Sequence, residues 1–208
     1  MVTEPEFLAA LRRQRLFAIL RGSDRASTTA AGLALIDSGI GCLEVSLSGT
    51  DALGALADLA AAAPRGAIVG AGTALTAADV RRASDAGARF IVTPGLTESV
   101  EEARRRGLPV LGGALTPTEI IAARERCTAV KLFPASVFGP RYLAALRGPL
   151  PDLDIVPVGG IDAAAAEAFL AAGALAVGVG SPLVGDAADG GSILELRERA
   201  RAYLGICA

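Results

Sequence analysis

Residues 110–133 read VLGGALTPTEIIAARERCTAVKLF, and the change of pattern along them decides the fold. Val110-Leu111-Gly112-Gly113 is a short run of strand character. Thr116 then opens an amphipathic stretch to Arg126, where its hydroxyl can accept from the free N–H groups of a first helical turn. Ala129-Val130-Lys131-Leu132-Phe133 is a second β-rich run. A strand, a helix and a strand in this order make a βα repeat, the connection that parallel strands need. The same alternation continues both ways. Strands are predicted at 16–21, 42–47, 67–73, 90–93, 110–113, 129–133, 155–158 and 176–180, with helices at 24–38, 50–63, 76–86, 97–106, 116–126, 140–146 and 162–172. Thr76 and Thr116 read as N-caps; Gly39, Gly87, Gly107 and Gly173 read as helix stops. An amphipathic helix at 4–14 precedes the first strand, and a last helix spans 193–204. Eight strands without a linker-rich break predict one domain over residues 1–208, a (β/α)8 TIM barrel with an additional N-terminal helix. An open doubly wound sheet is the alternative, and the strand count favours the barrel.

Composition removes several classes of partner. The formal net charge of −2 offers no basic footprint for nucleic acid, and an aromatic content of 4% leaves few rings to stack on bases. The most apolar segment, 163–179, is broken by Glu167, Gly173 and Gly178 and does not read as a membrane span. Cys42, Cys127 and Cys207 are odd in number and scattered, which suggests a reducing compartment. The start, Met1-Val2-Thr3-Glu4-Pro5-Glu6, lacks the basic and apolar regions of a secretory signal, so a cytoplasmic protein is expected. There is no histidine, the cysteines form no paired motif, and no metal is expected.

The chain has a single lysine, Lys131, among nineteen arginines, and it stands inside an apolar run. A guanidinium stays protonated at any accessible pH; a desolvated ε-amine can lose its proton and attack a carbonyl. Schiff-base chemistry is one reading, and a lysine snorkelling from a strand edge is the other. The lysine census favours the first. Barrels gather reactive groups at the carboxyl ends of their strands, where this sequence places Arg21, Glu44, the run Gly70-Ala71-Gly72-Thr73 and Lys131. Burying Glu44 in an apolar strand is costly unless it pairs, so an ion pair with Arg21 is the structural alternative to a catalytic role. Strands seven and eight end in Val158-Gly159-Gly160 and Val179-Gly180-Ser181-Pro182. Barrels often bind phosphate there through exposed backbone N–H groups, with Ser181 adding a hydroxyl. Each glycine taken singly also fits an ordinary turn.

Leu20-Arg21-Gly22, Leu43-Glu44-Val45, Gly70-Ala71-Gly72-Thr73, Thr93-Pro94-Gly95, Lys131-Leu132-Phe133-Pro134 and Val158-Gly159-Gly160-Ile161 run nearly end to end. Together they resemble the bacterial class I aldolases of 2-keto-3-deoxy-6-phosphogluconate and 2-keto-3-deoxy-6-phosphogalactonate. The resemblance implies a homotrimeric barrel that needs no cofactor. It also implies cleavage of a phosphorylated 2-keto-3-deoxy acid to pyruvate and D-glyceraldehyde 3-phosphate through an imine on Lys131. On this resemblance Glu44 is the acid/base, Arg21 and Thr73 hold the carboxylate, Pro94 walls the site, and Gly159, Gly160, Gly180 and Ser181 hold the phosphate.

Arg21 and the run Phe138-Gly139-Pro140-Arg141-Tyr142 resemble the phosphogalactonate type, as does Val158, where phosphogluconate-type relatives carry threonine. Ser46-Leu47-Ser48-Gly49 departs from both: one type has an arginine shortly after the glutamate motif, the other proline and asparagine at Ser46 and Ser48. The phosphogalactonate is therefore the expected substrate and the phosphogluconate the alternative. A phosphate-binding barrel isomerase leaves the lone lysine unexplained. A non-catalytic sugar-phosphate binder would use Glu44 and Lys131 as a buried pair.

Overall fold

The computed structural model describes residues 2–208, so Met1, the first residue of the predicted domain and of the start read above, lies outside the described residues. Eight parallel strands form the sheet: β1 Leu16–Leu20, β2 Cys42–Ser46, β3 Ile68–Gly72, β4 Ile91–Val92, β5 Val110–Ala114, β6 Ala129–Leu132, β7 Ile155–Pro157 and β8 Val177–Val179. Their order is β7-β6-β5-β4-β3-β2-β1-β8, and a parallel bridge between Val158 and Gly178 spans the remaining gap. The sheet is thus a nearly closed barrel. A doubly wound sheet would reverse its order at a switch point, and none occurs.

The connecting helices are α2 Arg25–Asp37, α3 Ala52–Ala62, α4 Ala77–Asp85, α5 Glu98–Arg105, α6 Pro117–Arg126, α7 Gly139–Arg147 and α8 Ala163–Ala171, with α1 Glu4–Gln14 ahead of them and α9 Ser181–Val184 and α10 Ile193–Cys207 after β8. Thr76 and Thr116 each cap a helix in a reciprocal box, with Asp79 and Glu119 respectively. The four predicted stops, Gly39, Gly87, Gly107 and Gly173, all take positive φ. Two helix ends differ from expectation for identifiable reasons. α3 begins at Ala52 because Asp51 lies in the left-handed region at φ 43 and makes no side-chain cap. α10 continues past 204 to Cys207, since Tyr203 and Cys207 pack into the core.

Side chains alternate across each strand, and the alternation separates two cores. Leu16, Ala18, Leu20, Leu43, Val45, Val69, Val130 and Leu132 face the helices. Phe17, Cys42, Ile68, Phe90, Leu111, Ala129, Val156 and Ala176 fill the barrel. Phe7 and Leu11 of α1 join the second group, with the Phe7 ring stacked 4.6 Å from that of Phe90. The N-terminal helix therefore plugs the amino end of the barrel, each buried large side chain contributing roughly 1.5 to 3 kcal/mol. The opposite end stays open.

Candidate active site

Counting upward from the apolar plug places the polar residues. Two positions beyond Ala129 on β6 is Lys131, and two beyond Cys42 on β2 is Glu44, so both point inward. Lys131 stands in register with Gly113 and Val156, and Glu44 with Ile19 and Gly70. They share a cavity of about 510 Å3. Arg21, Thr73, Pro94, Val158, Gly159, Gly160, Gly180 and Ser181 line the same cavity, so all ten sequence-selected residues meet in one place.

Neither structural alternative is realised. β6 lies between β5 and β7, and Lys131 is only 5% exposed, so it does not snorkel from a strand edge. Glu44 is 2% exposed, and its Oε2 has no hydrogen-bond partner among the described residues. Arg21 does not pair with it; the Arg21 Nε donates to Ser46 Oγ at 3.4 Å. Burial drives the Lys131 ammonium towards deprotonation, opposed by the Glu44 charge and aided by that of Arg21. Burial likewise raises the Glu44 pKa, with Lys131 and Arg21 pulling the other way. Glu44 and Lys131 thus act on each other through space, desolvation shifting each towards its neutral form and the opposite charge of the other shifting it back.

Space for the Glu44 carboxylate comes from β3, because a Cβ on Gly72 would overlap it. Thr73, the next residue, has φ 59, an uncommon conformation for a β-branched side chain. Gly159 and Gly160 also take positive φ, at 96 and 71, and a side chain on either would press on Phe133 or Ser136. The backbone N–H groups of Gly159, Gly160, Gly180 and Ser181 have no internal hydrogen-bond partner among the described residues. Arg199 of α10 holds the short α9 in place by donating to the carbonyls of Leu183 and Val184 at 2.8 and 2.9 Å. Among the described residues no group of three acidic or cysteine side chains converges as a metal site.

Several cavity residues lay outside the sequence selection. Ile19 and Phe133 line it, and the Lys131 Nζ sits 4.8 Å from the Phe133 ring centroid. Both follow the inward alternation of their strands, two positions from Phe17 and Lys131, which is the signal that could have found them. Ser46, two beyond Glu44, follows the same alternation but is fully buried and does not itself line the cavity.

Polar side chains confined to one end of an otherwise apolar barrel are the arrangement of (β/α)8 enzymes, whose chemistry sits at the carboxyl ends of the strands. A model of the KDPG and KHG aldolase family matches residues 8–192. The chain belongs to that family, and so to the carbon–carbon lyases. A probable 2-dehydro-3-deoxy-6-phosphogalactonate aldolase of Rhizobium meliloti (strain 1021) is 36% identical over 192 residues, covering 91% of this chain and 89% of the relative. The solved structure described as native KDPGal aligns with a TM-score of 0.85 at 32% identity, over 92% of this chain and 93% of the other. KDPG aldolase from Legionella pneumophila, solved with pyruvate captured at low pH as a covalent carbinolamine, aligns with a TM-score of 0.85 at 26% identity, over 97% and 98%.

Proposed function

We infer that the chain is a single-domain, cytoplasmic class I aldolase that cleaves 2-dehydro-3-deoxy-6-phosphogalactonate to pyruvate and D-glyceraldehyde 3-phosphate. The observation that carries this reading is the unpaired placement of Lys131 and Glu44, both desolvated, in one cavity open to the carboxyl end of the barrel. Neutral Lys131 Nζ attacks the C2 ketone, and the carbinolamine oxygen leaves as water with a proton from Glu44, giving a protonated imine and a Glu44 carboxylate. The C3–C4 bond then breaks with its electron pair moving into the imine to give an enamine, while the C4 hydroxyl proton passes to Glu44 through a water. The aldehyde departs, Glu44 returns its proton to C3 through the water, and hydrolysis of the protonated imine gives pyruvate and neutral Lys131, with the released proton going back to Glu44. Arg21 and Thr73 hold the carboxylate, with the arginine fork suited to two parallel hydrogen bonds. The free N–H groups of Gly159, Gly160, Gly180 and Ser181 hold the phosphate, and Pro94 walls the cavity.

Borohydride reduction in the presence of pyruvate tests the chemistry. The expected result is a stable adduct on Lys131, lost in Lys131→Arg, which keeps the charge but not the nucleophile. No adduct in folded wild-type protein would sink the imine mechanism.

Val158 carries the epimer assignment. It is 3% exposed, lines the cavity and lies against Gly178. A threonine there would add a hydroxyl able to orient the C4 oxygen, and one hydrogen bond is worth about 0.5 to 1.5 kcal/mol, a several-fold preference. Val158→Thr is accordingly expected to move kcat/KM several-fold towards the phosphogluconate. Assays of both epimers check this, and a wild-type preference for the phosphogluconate would reverse the assignment.

A further inference from the structure

Arg21 and Thr73 come from different strands, and each is poorly held by itself. The Arg21 side chain is exposed, and its Nε makes a hydrogen bond to Ser46 Oγ. Thr73 is strained at φ 59, and its hydroxyl meets Ser46 Oγ at 2.9 Å. Ser46 Oγ also meets Ser48 Oγ at 2.9 Å, while Ser46 itself is fully buried. We propose that Ser46 is the positioning residue for substrate carboxylate recognition, a buried hydroxyl that aims Arg21 and Thr73 at the same anion. The inference rests on the reading of those two residues as the carboxylate pair.

The hydrogen-bond count gives the relay a direction. A hydroxyl has one donor and two acceptor positions, and three neighbours use all of them. Arg21 takes one acceptor position of Ser46. The remaining donor and acceptor serve Thr73 and Ser48 in one of two orders. If Thr73 donates to Ser46, its proton is turned away from the cavity. If Ser48 donates to Ser46 and Ser46 to Thr73, the Thr73 proton is free. A bound carboxylate selects the second order, because only there does Thr73 present a donor, and a chain of aligned hydroxyls polarises in the same sense. The Arg21 terminal nitrogens remain available to the same carboxylate, since Ser46 occupies only Nε. Ser46 and Ser48 thus form one neutral device, which orients a cation from β1 without adding a charge of its own.

The test compares borohydride trapping of Lys131 with pyruvate and with its neutral amide, which has the ketone but no carboxylate. Ser46→Ala is expected to lower the second-order trapping constant for pyruvate about tenfold, the size of one hydrogen bond to a charged group, and that for the amide by less than about twofold. A merely structural defect, or a change in the lysine, would lower both alike. An equal loss with the two ketones, or no loss with pyruvate, overturns the role of Ser46 while leaving the imine chemistry standing. Absence of any adduct in wild-type protein overturns the catalytic reading itself, and with it this inference.

Discussion

The Lys131 ammonium and the Glu44 carboxylate both lose hydration in the barrel, where Glu44 Oε2 has no hydrogen-bond partner among the described residues and Lys131 Nζ lies over the Phe133 ring. The consequence for Glu44 can be separated into a rate and a stability. Removing a positioned acid/base group is expected to reduce kcat by about 10² to 10⁴ in Glu44→Gln. Stability should move the other way. Burial raises the Glu44 pKa, so between its unfolded and folded values the folded chain binds more protons than the unfolded one. Stability from this group is therefore present at acid pH and is lost as pH rises through the folded pKa. Glutamine is nearly isosteric and does not ionise, so Glu44→Gln is expected to be more stable than wild type by about 0.5 to 2 kcal/mol above that window, with the gap closing in acid. Urea unfolding at pH 5 and pH 8 measures it, and a variant less stable at the higher pH would show that the field of Lys131 outweighs desolvation.

At the scale of elements, a strand serves the site as much by what it omits as by what it carries. β3 contributes Gly70 opposite the Phe90 ring and Gly72 opposite the Glu44 carboxylate, and a Cβ on either would intrude on its neighbour. Gly72→Ala is expected to destabilise the fold by about 1 to 3 kcal/mol, the usual cost of overpacking, and to slow cleavage by turning Glu44 aside. Thermal unfolding and a cleavage assay check both, and full activity in that variant would mean the carboxylate is free to move. The starts of α4 and α6 were legible from the sequence because capping is local: Thr76 and Asp79, or Thr116 and Glu119, are three residues apart. The need for Gly72 was not legible, because its neighbour in space is 28 positions away in the chain.

For the whole molecule, the outer surface carries an apolar face that the barrel itself does not cover. Val137 is 59% exposed, Phe138 54% and Ile121 47%, and Phe138 leans on Tyr142 with ring centroids 4.9 Å apart. We propose that copies of the chain meet at this face in the homotrimer that the family resemblance implies. Phe138→Asp is expected to yield monomers at micromolar concentration by light scattering; a persistent trimer would place the interface on other helices. Among the described residues no helix is long and apolar enough to cross a membrane.

The sequence by itself determined the βα repeat, the eight strands, the helix caps and the chemistry-bearing residue types, because each depends on neighbours within one or two turns or on plain residue counts. Lys131 was conspicuous as the lone lysine, and Glu44 as a carboxylate in an apolar run. Only the tertiary structure decided that Glu44 and Arg21 do not pair, that Ser46 joins Arg21 to Thr73, and that Phe133 lies beneath the lysine amine. Those relations depend on the curvature and register that bring β1, β2, β3 and β6 around one axis, and a one-residue change in register would turn each side chain to the other face. Closure of the barrel sets that register, and no single segment encodes it.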